Sequence, residues 1–138
     1  MTPLMERNVH LLIFAADGEV YGGHADQIEE ILEADEGVIR AERGALRIVR
    51  LAARLGGQPP RSAASTGAAQ ARGRMLVIKR GGETLGLLVE QVRQLIALPV
   101  GQIHALPPLM QARQRTQAVW GIALLRGLPV ILLDFEQL

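Results

Sequence analysis

Three groups of side chains in this sequence could do chemistry: three histidines, a cluster of carboxylates and a spaced run of arginines. His10 and His24 open and close one predicted hairpin, so their rings could be neighbours. Two imidazoles fall short of a tight zinc site unless Asp17 or Asp26 adds a third ligand. A small-molecule or metal-binding barrel using His10 and His24 is therefore one rival reading, and solvated or core-edge histidines are the plainer one. Asp26, Glu29, Glu30, Glu33, Asp35 and Glu36 crowd into eleven positions. A glycosidase-like carboxylate pair would want an aromatic-lined sugar cleft, but the only aromatics are Phe14, Tyr21, Trp120 and Phe135. The cluster reads as a solvated acidic face. Arg40, Arg43, Arg47, Arg50 and Arg54 follow it and could pair with it or dock an acidic or phosphate-bearing partner.

No catalytic motif accompanies these groups. The chain has no phosphate-binding Gly-x-x-x-x-Gly-Lys loop, no Gly-x-Ser-x-Gly elbow and no His-Glu-x-x-His pair. Its serines and threonines stand in no activating context. With no cysteine there is no thiolate nucleophile, disulfide or zinc–sulfur site. The expectation is a non-enzyme without cofactor or metal. A formal charge of +1 and few aromatics also speak against nucleic acid, although an Arg-rich barrel binding nucleic acid remains the second rival. No stretch approaches the length of a membrane span, and the opening residues lack a signal-peptide core. The sequence thus predicts a soluble, cytoplasmic protein without direct membrane insertion.

The elements that must carry these residues come in duplicate. Tyr21-Gly22-Gly23 through Ile31-Leu32 aligns with Leu85-Gly86-Leu87 through Leu95-Ile96 at an offset of 64 residues. The same offset lays Leu11–Phe14 on Met75–Ile78, and Asp17-Gly18-Glu19 on Gly81-Gly82-Glu83. Internal repetition of this kind sets architecture before any local reading does. Each copy opens with a hairpin: Val9–Ala16 with Glu19–Ala25, and Met75–Arg80 with Glu83–Val89. Asp17-Gly18 and Gly81-Gly82 supply the tight turns. Gly22-Gly23 suggests a bulge or sharp bend. Asp26 suggests the N-cap of a short helix over Gln27–Ile31.

In copy one, Val38–Glu42 and Leu46–Leu51 read as a strand pair joined at Arg43-Gly44, with a short helical end at 52–55. In copy two, Arg93–Leu98 is a strand. Pro99–Thr116 is a partly helical surface excursion without counterpart, and Val119–Leu125 with Leu128–Leu133 is a hairpin around Arg126-Gly127. The two Arg-Gly pairs look like the same corner. Trp120 reads as core. The domain reading is a first subdomain over about 9–55, a mobile linker over about 57–73 and a second subdomain over about 74–138. Neither half can build much core alone, so the two should pack together, with a partner groove between them.

In order, these segments resemble the CheW-like coupling proteins of bacterial chemotaxis, in a divergent form. The resemblance runs from about Val9 to Leu138. It rests on Leu12-Ile13-Phe14 through Tyr21-Gly22, Asp26–Leu32, and Arg43-Gly44 with Ile48-Val49 and Leu51–Gly56. In copy two it rests on Gly86–Val92 and the closing Leu132-Leu133-Asp134-Phe135-Glu136-Gln137-Leu138. It departs from the family pattern in a shortened first subdomain, with only Glu33–Glu42 between the matched segments. Ala41-Glu42 replaces Asn-Leu, and Arg50 replaces Asp. The resemblance implies an all-β fold of two interlocked SH3-like five-stranded β-barrels with short helical segments. It also implies a signalling adaptor in chemotaxis or surface motility, joining the regulatory domain of a CheA-like histidine kinase to the cytoplasmic tip of a chemoreceptor. On that analogy Ile28, Ile31 and Val89 line the receptor groove. Glu30 and Arg43-Gly44 fall at charged contact positions, and exposed strand ends near Gly22 and Gly86 meet the kinase.

Overall fold

The computed structural model describes residues 7–51, 55, 73–112 and 117–138. Ten strands dominate: β1 Asn8–Ala16, β2 Glu19–His24, β3 Ile28–Glu33, β4 Arg47–Val49, β5 Arg74–Arg80, β6 Glu83–Val89, β7 Gln91–Pro99, β8 Ile103–Ala105, β9 Val119–Leu125 and β10 Leu128–Leu133. Helices α1 Ala34–Glu42 and the five-residue α2 Pro108–Ala112 join them. The strands form two sheets, one of six in the order β7-β1-β2-β10-β9-β8 and one of four in the order β3-β5-β6-β4.

The copies are interlocked, since each sheet takes strands from both. β1 pairs with β7, and β5 pairs with β3. These ladders superimpose at the 64-residue offset. Leu11 opposite Ile96 becomes Met75 opposite Leu32, and Leu12 opposite Leu95 becomes Leu76 opposite Ile31. Even the bulge repeats, leaving Arg93 unpaired on β7 and Glu29 unpaired on β3. The parallel pairs repeat as well. Tyr21–Gly23 runs beside Ile131–Leu133, as Leu85–Leu87 runs beside Arg47–Val49.

β1 and β5 are apolar on both faces because both faces are buried. From β1, Phe14 and Leu12 enter a core shared between the sheets, while Leu11 and Ile13 enter the interior of the large sheet. From β5, Leu76 and Ile78 enter the shared core, and Met75 and Val77 the smaller interior of the four-stranded sheet. Tyr21, Leu85, Leu87, Val89 and Phe135 complete the shared core, where the Phe14 ring lies 5.7 Å from Tyr21 and 6.4 Å from Phe135. Gln27 fastens the C-terminal 3-10 turn to this core. Its Nε2 donates to Asp134 Oδ1 at 2.8 Å, and its Oε1 accepts from the Phe135 N–H at 2.9 Å.

Three expectations about local structure are corrected. Val38–Glu42 belongs to helix α1 instead of a strand. The β-branched pair Val38-Ile39 favours a strand, but the small residues Ala34, Gly37 and Ala41 fall on one helical face. Ala34 and Gly37 are buried there, and Ala41 is half-buried against the small-sheet interior. A Cβ on Gly37 would stand 2.3 Å from the Met75 sulfur, so the helix can lie this close only because that position is glycine. Asp35 and Glu36 in the first turn, and Arg40 in the last, also complement the helix dipole.

The two Arg-Gly pairs are, secondly, different corners. Arg43-Gly44 closes α1 in a Schellman motif: Ala45 N–H donates to Arg40 O and Gly44 N–H to Ala41 O, each at 3.0 Å. Arg126-Gly127 is a hairpin turn with both residues at positive φ, 53° and 79°. Thirdly, Gln27–Ile31 is not a helix capped by Asp26. A 3-10 turn at Ala25–Gln27 leads into β3, and no side chain caps that turn. The Gly22-Gly23 pair marks close packing with an unbroken β1 register, since a Cβ on Gly23 would meet the Phe135 ring at 2.5 Å. The linker expected over 57–73 lies outside the described residues except for Gly73, as do residues 52–54 of the short helical end and 113–116 of the excursion.

Candidate functional site

β3 is an edge strand, and its two faces do different work. Residues opposite one another on antiparallel strands share a face. Ile28 faces Ile78 and Ile31 faces Leu76, so both point to the shared-core side. Ile28 is half-buried against that core, and Val89 belongs to it at 4% exposure. Ile31 rises out of it, 44% exposed. The three residues therefore run from buried core to a solvent-facing apolar rim.

Glu30 points to the other face, where α1 lies. Arg40 donates from Nη1 to Glu30 Oε2 at 2.9 Å and from Nη2 to Oε1 at 3.3 Å, and Nη2 also reaches Glu36 at 3.3 Å. This hydrogen bonding to carboxylates raises the Arg40 pKa above its ordinary value. Arg43 follows at the C-cap of α1, exposed and without an ion-pair partner among the described residues. Gly44 sits beside it at φ 78°, exposed.

Gly22 and Gly86 lie elsewhere. Each is buried in mid-strand with a neighbouring strand on both sides: Gly22 between Ile13 and Leu132, Gly86 between Val77 and Ile48. They are not exposed strand ends, because the parallel β10 and β4 cover the edges that the hairpins alone would leave open.

Among the described residues, Arg40 is the one member of the basic run paired with the acidic run, and other members of both runs pair elsewhere. Glu29 pairs with Lys79 at 3.4 Å, Glu33 with Arg74, and Arg47 with Glu83 at 3.1 Å. All are exposed pairs, each contributing roughly 0–1 kcal/mol. Among the described residues no group of three or more His, Cys, Asp or Glu could hold a metal. The His24 ring lies flat on Trp120, 5.4 Å away with a 9° interplanar angle. Trp120 is half-buried against the large-sheet interior. His10 and His24 border an open hollow with Asn8, Val9, Ala25 and Asp26.

Sequence reasoning missed Leu95, 63% exposed on edge strand β7. The repeat carried the signal, because the 64-residue offset that aligns the copies places Leu95 on Ile31. Ile39 on α1, 48% exposed, was hidden by the strand reading of its segment.

The family of CheW-like domains matches residues 10–138 of this chain. Solved structures that resemble it include the scaffolding protein TtCheW from Thermoanaerobacter tengcongensis, at 18% identity and a TM-score of 0.66, over 91% of this chain and 88% of that one. No curated protein matches the sequence. No described helix is long and apolar enough to cross a membrane.

Proposed function

The chain belongs to the CheW-like domain family, and from that membership we propose that it is a non-enzymatic, cytoplasmic signalling adaptor of chemotaxis or a related motility pathway. Its partners on this reading are the regulatory domain of a CheA-like histidine kinase and the cytoplasmic tip of a chemoreceptor. The observation that carries the receptor arm is the apolar rim at Ile31. It emerges from the shared core on an edge strand that no described strand covers, with the Glu30–Arg40 pair and Arg43, unpaired among the described residues, close by in sequence and on the adjoining helix. An amphipathic helix laying its apolar stripe on Ile28 and Ile31 would meet polar and charged groups along its flank. Val89, buried in the shared core, would act only as support on this reading. Gly22 and Gly86 contribute to the kinase arm only indirectly, by letting the strands on either side pack closely.

Calorimetric titration of the protein with a CheA-like regulatory domain, and separately with a receptor-tip helical hairpin, tests both arms. Ile31→Glu should weaken the hairpin by about tenfold or more, as central apolar anchors do, and leave the melting temperature unchanged because Ile31 is exposed. Arg43→Ala should weaken it less. Absence of heat with either partner at high micromolar concentration would overturn the adaptor reading. The nucleic-acid alternative predicts steeply salt-dependent binding to a random oligonucleotide instead. It is disfavoured because Arg40 and Arg47 are already paired with glutamates.

A further inference from the structure

The duplication gives the molecule two edge strands of the same kind, β3 and β7, and only one of them is guarded. Sheet edges expose unpaired N–H and C=O groups, and proteins blunt them with charges, bulges or very short strands. β4 and β8 are blunted by length, at three residues each. β3 carries Glu29 at its bulge, then Glu30 and Glu33, and each has a basic partner in this chain. β7 carries Arg93 at the equivalent bulge, with no ion-pair partner among the described residues. Beyond it run Gln94, Leu95, Ile96, Ala97, Leu98 and Pro99, six residues without a charge. At about 3.3 Å per residue they form an edge of about 20 Å that no described strand pairs. Ile96 and Leu98 turn into the large-sheet interior, while Leu95, opposite Leu12, and Ala97, opposite His10, take the other face and are exposed.

We propose that the free edge of β7 from Arg93 to Pro99 is a docking site for an extended, largely apolar segment of a partner protein, which adds to the large sheet as a further strand and sets a carboxylate against Arg93. Backbone pairing would supply affinity, and Leu95 and Arg93 the choice of sequence. Charge decides the occupant. At the equivalent bulge, Glu29 is answered within the chain by Lys79 at 3.4 Å, whereas Arg93 is left for a partner to answer. A second copy pairing β7 with β7 would bring two arginines and no carboxylate. The site is separate from the Ile31 rim, on a different strand of a different sheet, so it stands or falls independently of receptor binding.

The probe is a synthetic fluorescent peptide of alternating valine and threonine led by two glutamates, with a two-lysine version as comparison. Anisotropy should show the glutamate peptide binding more tightly, and Arg93→Glu should reverse the preference, shifting each affinity by about fivefold. Amide exchange should show new protection in β7 at the N–H groups that point away from β1. Leu95→Lys should abolish that protection with the melting temperature unchanged, since Leu95 is largely exposed. Equal binding of the two peptides, or protection that never reaches β7, would overturn the proposal. Concentration-dependent protection of β7 without peptide, together with a doubled mass, would also overturn it and assign the edge to self-pairing.

Discussion

The four-stranded and six-stranded sheets begin from the same hairpin and end differently. In each, the first two strands and the borrowed edge strand match residue for residue under one offset. They diverge after the edge strand. The large sheet continues through β8 and β9 before reaching β10. The small sheet has the nine-residue α1 in that interval, and then the three-residue β4. A helix laid across a sheet needs small residues beneath it, and Gly37 and Ala34 provide them. The consequence is a smaller interior, with four buried residues against six among the described ones. The core shared by the two sheets then becomes the principal support of both. Duplication therefore conserves pairing geometry, while the closing segment is free to change and takes the surface chemistry with it.

The sharpest way to break this comparison is to remove the support the two sheets share. Phe14→Ala empties the position where β1 meets Tyr21 and Phe135. It should cost about 3–5 kcal/mol, and both sheets should lose amide protection in a single transition. Separate melting of the small sheet would mean that it does not lean on the common core.

A smaller effect separates Tyr21 from its repeat equivalent, Leu85. Burial, with Asp17 and Glu19 adding to it, pushes the Tyr21 phenol up to about 12 from an ordinary value of 10.0. The neutral phenol is favoured in the folded state, so its contribution is complete below about pH 10. It is lost as pH climbs from 10 toward 12, a fall of no more than about 2 kcal/mol once solvent screening is counted. Tyr21→Phe makes the two positions alike and should remove that part of the alkaline decline in urea-melting experiments. An unchanged pH profile would mean that the phenol reaches water.

Next come the equivalent glycines. A methyl on Gly86 would meet the Met75 sulfur at 2.6 Å and Leu46 Cδ1 at 2.8 Å, and both side chains are buried. On Gly22 the nearest atoms stand at 3.2 Å or more. Gly86→Ala should destabilise by about 2 kcal/mol and Gly22→Ala by less than about 1 kcal/mol. Equal costs would mean that the small interior repacks as freely as the large one.

What was legible in the sequence follows the same division. The hairpins were readable because Asp17-Gly18 and Gly81-Gly82 sit between apolar runs, and the β9–β10 pair because Arg126-Gly127 does. The repeat announced the doubled β framework and, with the family resemblance, two interlocked β units, though not their division into sheets of six and four strands. It did not announce that β1 would pair with β7 and β5 with β3, because pairing between distant strands leaves no local mark. At α1 the β-branched Val38-Ile39 outweighed Asp35, Glu36 and the small-residue face. Those weaker signals acquire meaning only once Met75 is known to lie beneath. The candidate site was legible where the placing of Ile28 and Ile31 on one face depends on a single strand and is readable from local spacing. It was less legible at Gly22 and Gly86, whose burial depends on β10 and β4.

The smallest effect tests the two Arg-Gly corners against each other. Arg126 holds φ 53° in a turn where both central residues must be left-handed, a conformation that costs most side chains about 1 kcal/mol and asparagine less. Arg43 stands at φ −84°, where an arginine is unstrained and only the following Gly44 needs the left-handed region. Arg126→Asn should therefore raise stability by about 0.5 kcal/mol, whereas Arg43→Asn should give no such gain. The measurement is the paired shift in urea midpoint. A gain at both positions would imply that the α1 corner is under the same strain as the hairpin, and the helical ending of the small sheet would then have to be a weaker structural commitment than its Schellman hydrogen bonds indicate.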